Sequence, residues 1–336
     1  MSSDRVHPAA ERDHRDRCDR DCGWPTLQAV TTRKRPEKEA TAPTLATDVP
    51  SLDFAWGLAT AWSETAGSTK KLLTRARAAT LVLLVAGAGA GAIGANAAPV
   101  DRSPGWAVGA AIALGFAGML EGFVVTPDRN REWAVARMAS ETLVAAVWAY
   151  LTSLPPYDGT EDEKADALRA TIEKVELTKG ATRATGPIAT PLPSIEGDDV
   201  IELYQRERAQ GQLEWHRDNG AKEAKKGGLF RGIVLFLTAS GAVLLALSSI
   251  EDLFDSPLSA WVALLTTATA AITTHSRAAR FQEVAAGYER TSVGLELEMH
   301  RFSQVPDQQA DFPTLVANVE RILARQNESW VETVDG

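Results

Sequence analysis

Cysteine is almost absent from this chain: Cys18 and Cys22 are the only two, both near the start. With His14 they make a Cys-x3-Cys pair and one imidazole, short of the four ligands a structural zinc takes, so no metal is expected. The two thiols read as free side chains facing a reducing compartment. An excess of positive charge is also missing, since 35 Lys and Arg stand against 44 Asp and Glu for a net charge of -9. Phosphate neutralisation needs a basic surface, so a nucleic-acid partner is not expected. Residues 1–50 lack any apolar signal-peptide core and carry nine basic and nine acidic residues among prolines. Such a stretch cannot bury enough apolar surface to offset its ordering entropy, so it is expected to be disordered and to stay on the chain, the first apolar helix directing insertion. Catalytic patterns are lacking too: no phosphate-cradling glycine loop follows a strand, no His-Glu-x-x-His occurs, and no Ser or Cys nucleophile stands with a His and an acid. No enzymatic activity and no cofactor are expected. His216 and His275 are isolated and are expected at a surface or an interface.

What the chain does have is four long apolar stretches: Ala78 to Val100, Gly105 to Thr126, Gly232 to Ile250 and Ser256 to Ser276. A helix crosses the roughly 30 Å hydrocarbon core in about 20 predominantly apolar residues. Four stretches in two close pairs therefore read as two transmembrane hairpins. A soluble all-α domain with buried core helices is the competing reading, and the basic residues bracketing each pair weigh against it. Lys70, Lys71, Arg75 and Arg77 precede the first pair, with Arg129, Arg131 and Arg137 behind it. Lys222, Lys225, Lys226 and Arg231 precede the second, with Arg277 and Arg280 behind it. The loops hold only Arg102 beside Asp101 in one hairpin, and Glu251, Asp252 and Asp255 in the other. By the positive-inside rule both termini and the central segment are expected to be cytoplasmic.

An internal repeat organises the rest. Lys70 and Lys71 recur as Lys225 and Lys226, and Trp106 recurs as Trp261, each at an offset of 155 positions; Trp62 and Trp215 stand ahead of the lysine pairs. After each hairpin an amphipathic course resumes, with Trp133, Ala136, Ser140, Leu143, Val144, Val147 and Leu151 in one copy and Phe281, Val284, Ala285, Tyr288, Leu295, Met299 and Phe302 in the other. Both are expected to continue the transmembrane helix into water, with a break at Pro127 in the first. A shorter helix carries Ala165, Leu168, Ile172 and Val175, and a last one carries Phe312, Leu315, Val316, Val319, Ile322 and Leu323 and is expected to begin at Pro313. The domains expected are a disordered segment over 1–50, a first two-transmembrane unit over 51–178, a linker over 179–199 and a second unit over 200–331.

Within the spans, Gly87-x3-Gly91 and Gly118-x3-Gly122 allow close helix packing. Glu121 is an ionisable group inside an apolar stretch, which suits either a salt bridge to Arg129 or Arg131 at the headgroups or the mouth of a water-filled path. Thr266, Thr269 and Thr273 share one helical face. Threonine hydroxyls can bond their own helix backbone, so the stripe suits packing or, if several subunits turn it inward, a pore lining.

The residues ahead of and behind the hairpins carry a resemblance. Tyr204, Arg208, Gln212, Trp215 and Lys226, then Trp261, then Arg277 and Arg280, resemble the SLATT superfamily of SMODS- and SLOG-associating two-transmembrane effector domains. Trp62, Lys71, Trp106, Trp133 and Arg137 look like a more diverged copy, giving a tandem arrangement. The resemblance implies an all-α integral membrane protein with long cytosolic helices. It also implies a non-enzymatic effector of a bacterial conflict or nucleotide-signalling system, homo-oligomeric and pore-forming in membrane lipid. Because no sensor domain is attached, a separate sensor or signalling protein is the expected trigger. The alternative is a membrane-anchored scaffold or receptor whose cytosolic helical bundle recruits a partner.

Overall fold

The computed structural model describes residues 50–96, 103–177, 200–248 and 258–335. The N-terminal segment with His14, Cys18 and Cys22, the 179–199 linker and the tips of both hairpins lie outside the described residues, as do the loop charges Asp101, Arg102, Glu251, Asp252 and Asp255. Among the described residues the chain is all helical: α1 Pro50–Asn96, α2 Ser103–Phe123, α3 Pro127–Leu151, α4 Glu161–Glu176, α5 Val200–Ser248, α6 Ser259–Ala279, α7 Phe281–Ser303 and α8 Gln308–Asp335. The series runs twice through the same pattern. A long helix of 47 or 49 residues is followed by a return helix of 21 in each case, then by helices of 25 and 23.

Among the described residues three helices, α1, α2 and α5, are long and apolar enough to cross a membrane. The return helix α6 matches α2 in length at 21 residues, about 31 Å at the α-helical rise. Its threonines, His275 and Arg277 make it more polar than α2.

The helices distribute over two compact units. One, the bundle unit, holds the described residues through Lys71, then Arg131–His216, then those from Thr291; the other, the apolar unit, holds Leu72–Asn130 and Arg217–Arg290. Each unit therefore draws on both halves of the chain.

In the bundle unit α3 is the central helix. Leu58, Ala59 and Trp62 of α1 and Val175 of α4 pack with Ala136, Ala139 and Leu143. Trp148 joins a second core with Tyr204, Leu213, Leu295, Phe302, Leu315 and Val319. The stripe read from the sequence, Trp133 to Leu151, is thus only one of the buried faces of α3: Ala134, Val135, Arg137, Glu141 and Trp148 are buried as well. A helix enclosed on several sides loses the one-sided pattern that identifies a surface helix. The approach of α1 is made by small residues, and Ser140 Oγ donates to the Ala59 carbonyl at 2.8 Å. Helix α4 starts with a capping box, the Thr160 amide donating to Glu163 Oε2 at 2.8 Å while Thr160 Oγ1 accepts from the Glu163 amide.

Two boundaries differ from expectation. Helix α8 begins at Gln308, not at Pro313, because Asp307 Oδ1 accepts the Ala310 amide at 3.0 Å and opens the helix a turn earlier. Neither return helix runs on unbroken. The first copy stops at Phe123 and restarts at Pro127, as proline requires. The second is interrupted at Arg280, which takes a left-handed conformation at φ 47° and separates α6 from α7.

In the apolar unit many of the large apolar side chains point outward. Phe116, Met119 and Phe123 on α2 and Leu235, Phe236 and Val243 on α5 are exposed, and none of the most apolar stretch of α5 is buried. A water-soluble protein does not leave such a continuous apolar surface open. Of the glycine pairs, only Gly87 sits at a close approach, where a Cβ would stand 3.1 Å from the Leu114 side chain; Gly91, Gly118 and Gly122 face open space.

Candidate functional site: a buried charge cluster

The first turns of α5 are wound as a π-helix over Tyr204–Gln210. Bonding from i to i+5 widens the turn, a local irregularity often found at functional sites. From this segment Tyr204 and Arg208 both reach one carboxylate on α8. Arg208 Nε donates to Glu320 Oε1 at 2.9 Å and Nη2 to Glu320 Oε2 at 2.8 Å, a two-pronged pair. Nη2 also donates to Glu141 Oε2 on α3 at 3.3 Å, and Tyr204 Oη donates to Glu320 Oε1 at 3.1 Å. One guanidinium thus ties three helices together, while Trp148 and Phe312 close on Tyr204 edge-to-face at 5.4 and 5.8 Å.

Burial sets the electrostatics. Arg208 is 4% exposed and Glu141 6%. Burial alone would weaken the hold of Arg208 on its proton, but Glu320 and Glu141 reverse that and raise it above the usual arginine range. Burial raises the Glu141 carboxyl above the usual carboxylate range, against the pull of Arg208 and Arg137. Burial, with Glu320 adding to it, also raises the Tyr204 phenol well above its ordinary value. Both carboxylates serve as acceptors for the same cation, so the cluster is built as a clamp and not as an acid–base pair.

A second layer lies two turns further along α5. The Arg137 guanidinium stands 5.4 Å from the ring of Trp215, a cation–π contact. His216, expected at a surface, is instead fully buried. Its Nδ1 lies 2.6 Å from the Gln212 carbonyl, and its Nε2 meets the side-chain amide of Gln326 on α8. Burial pushes the imidazole down to about 4, so it is neutral at physiological pH. With Nδ1–H donated to the Gln212 carbonyl, Nε2 is left facing Gln326 Oε1, and turning the Gln326 amide end for end would give it a donor.

A cleft of about 400 Å³ opens beside the cluster, walled by Met138, Thr142, Ala145 and Leu323 with Glu141, Arg208 and Glu320 at its polar end and Arg321 and Asn327 on its edge. A neighbouring cleft of about 590 Å³ shares Thr142, Ala145 and Glu320 and runs on past Pro155, Tyr157 and Lys174. Among the described residues no group of three His, Cys, Asp or Glu is arranged to hold a metal.

Of the residues singled out from the sequence, the structure brings Arg137, Tyr204, Arg208, Gln212 and Trp215 into this one region, and buries Trp62 in the neighbouring core. Trp133 packs against that same core. Lys71 is half-buried. Lys226 is exposed and pairs with Glu223 at 2.8 Å. Trp106 and Trp261 are exposed on the return helices, and the Arg277 carbonyl accepts the Arg280 amide at 3.2 Å where α6 ends. Glu121 is exposed and lies within electrostatic reach of Arg77 and His275. Thr266 and Thr269 donate to the carbonyls of Val262 and Leu265 on their own helix at 2.9 and 2.7 Å; Thr269 and Thr273 are half-buried. Sequence reasoning missed Glu141, Glu320 and Gln326. Glu141 lies one turn after Arg137, and Glu320 directly follows the apolar Val319, so charged residues bordering apolar stripes were the available signal.

Residues 204–330 match the family described as SMODS and SLOG-associating 2TM effector domain 1. Residues 60–165 match a different family, of proteins of unknown function, DUF4231. No curated protein and no solved structure shows significant similarity to the chain.

Proposed function

From the match of residues 204–330 to the SMODS and SLOG-associating two-transmembrane effector domains, we propose that the chain is a non-enzymatic membrane effector that oligomerises and permeabilises a bacterial plasma membrane. The observation that carries the reading is the pairing of an apolar unit, many of whose large apolar side chains face outward, with a bundle unit clamped by buried charge. A single unit of four spanning helices is too thin to enclose a wide aqueous path, so several chains assemble. Glu121, Thr266, Thr269 and Thr273 are the polar side chains available to line it. The two halves, with their parallel helix series, are tandem copies of one unit. The flanking charges put both termini and the bundle unit in the cytoplasm, where a separate sensor or signalling protein supplies the trigger.

Induced expression in a bacterial host tests this directly: depolarisation and growth arrest are expected, and planar bilayers holding the protein should show conductance. Tolerated expression together with silent bilayers would favour the second reading, a membrane-anchored receptor or scaffold. The paired clefts of the bundle unit support that second reading. Cysteine labelling at Asp101 and Glu251 tests the topology, with both loops expected outside.

A further inference from the structure

Within the apolar unit, polar and aromatic side chains from different spans converge at the end the flanking charges assign to the cytoplasm. Arg77 and Thr80 come from α1, Glu121 from α2, Phe230 from α5, His275 from α6 and Phe281 from the start of α7. Arg77 Nη2 donates to Asn130 Oδ1 at 2.8 Å, but its Nε and the Thr80 hydroxyl are shut off from the surface without a protein partner. Buried donors of this kind are satisfied by water in native proteins. Glu121 lies within electrostatic reach of both Arg77 and His275. Against the His275 ring, 5.2 Å from Phe230, the rings of Phe230 and Phe281 lie parallel, 6° apart in plane and 5.3 Å between centroids.

The placement of Phe281 is specific. It follows Arg280, whose φ of 47° is a conformation that non-glycine residues seldom adopt. The ring is thus held on a sharp break between two helices and not on a continuous one. Opposite it, α5 carries Gly227, where a Cβ would stand 3.3 Å from the Phe281 Cβ, so glycine admits the close approach.

We propose that Arg77, Thr80 and His275 enclose a hydrated vestibule at the cytoplasmic end of the apolar unit, with the exposed Glu121 at its mouth, and that the Phe230–Phe281 pair is the plug that closes it. This rests on the reading of the chain as a permeabilising effector and adds the gate. Opening needs one ring to leave the stack, and the break at Arg280 is where α7 can turn to carry Phe281 away.

The test uses the full chain with Cys18→Ser and Cys22→Ser, reconstituted in phosphatidylethanolamine and phosphatidylglycerol vesicles. Thr80→Cys reports the vestibule through its rate of labelling by a charged methanethiosulfonate, scaled to that of an exposed Ser303→Cys. Losing an aromatic pair shifts a closed population by up to about tenfold, so Phe230→Ala and Phe281→Ala should each raise the scaled rate by about that factor. Phe236→Ala, which removes an outward-facing ring, should leave it unchanged. Phe230→Leu keeps apolar volume and guards against a folding defect; its rate should fall between those of the parent and Phe230→Ala. Dye leakage rising with the labelling rate supports the gate. Faster labelling with no leakage in any variant keeps the plugged vestibule and removes the permeation reading. Equal labelling rates in the parent, Phe230→Leu, Phe230→Ala and Phe281→Ala overturn the proposal.

Discussion

Leu315 and Leu235 carry the same side chain in opposite settings. Leu315 is fully enclosed among Phe302, Phe312 and Val319 in the bundle unit, whereas Leu235 is 64% exposed on α5. In the bundle unit water drives apolar groups inward, and the charged cluster buried with them pairs within itself, as Arg208, Glu141, Glu320 and Tyr204 do. In the apolar unit lipid removes that drive, since hydrocarbon solvates an outward leucine as well as a core does. Contacts between helices there rest on close approach, as at Gly87 against Leu114, and on occasional polar bonds such as Arg77 to Asn130. One chain thus obeys two sets of packing rules, and the difference locates each solvent.

The sharpest way to break this comparison is to remove the clamp. Arg208→Leu leaves Glu141 and Glu320 buried without their cation, and losing one partner of a buried ion pair costs about 3–5 kcal/mol. Denaturant titration in detergent should show the bundle unit destabilised by that amount, with Arg208→Lys recovering only part of it because lysine lacks the two-pronged geometry. Unchanged stability would mean the cluster is spectator charge.

A lysine on the outward face sharpens the other half. Phe236→Lys puts a charge in a span, which insertion scales price at about 2.5–3.5 kcal/mol near the helix centre. A translocon insertion assay should show α5 inserting less efficiently, while the same change at the exposed Ser303 should have no effect. Equal insertion of the two variants would move the lipid-facing surface elsewhere.

The smallest effect is a pH response confined to the bundle unit. His216 is neutral in the folded protein down to about pH 4, while the unfolded chain takes up its proton near the ordinary histidine value. The unfolded state therefore binds more protons below neutrality. The stabilisation is complete above about pH 6.5 and declines as pH falls toward 4, by about 2 kcal/mol at pH 5. Bundle-unit unfolding followed by tryptophan fluorescence should show this slope, and His216→Gln should remove it. A slope that survives the substitution would point to a carboxylate instead.

Legibility followed the same division. The spans were readable because a lipid-facing helix must be apolar over its whole circumference, a property of composition alone; Phe116, Val243 and their neighbours announce it without any partner. The faces of α7 and α8 were readable because each packs one side, and Leu295, Phe302, Leu315, Val316 and Val319 emerge buried as their spacing required. Arg208 was readable only as a recurring motif residue. Its partners are 67 and 112 positions away, and nothing local to Glu141 or Glu320 marks them as its acceptors.

Helical class, apolar spans and the amphipathic outer helices came from the order of residues, because each depends on composition or periodicity within one segment. The tertiary structure alone decided that α3 is enclosed on several faces, that His216 is buried and neutral, that a left-handed Arg280 separates α6 from α7, and that each compact unit draws on both halves of the chain. Those outcomes depend on which distant helix supplies the opposing surface. Pairing of charges and exclusion of water act through space, at separations along the chain that no local pattern encodes.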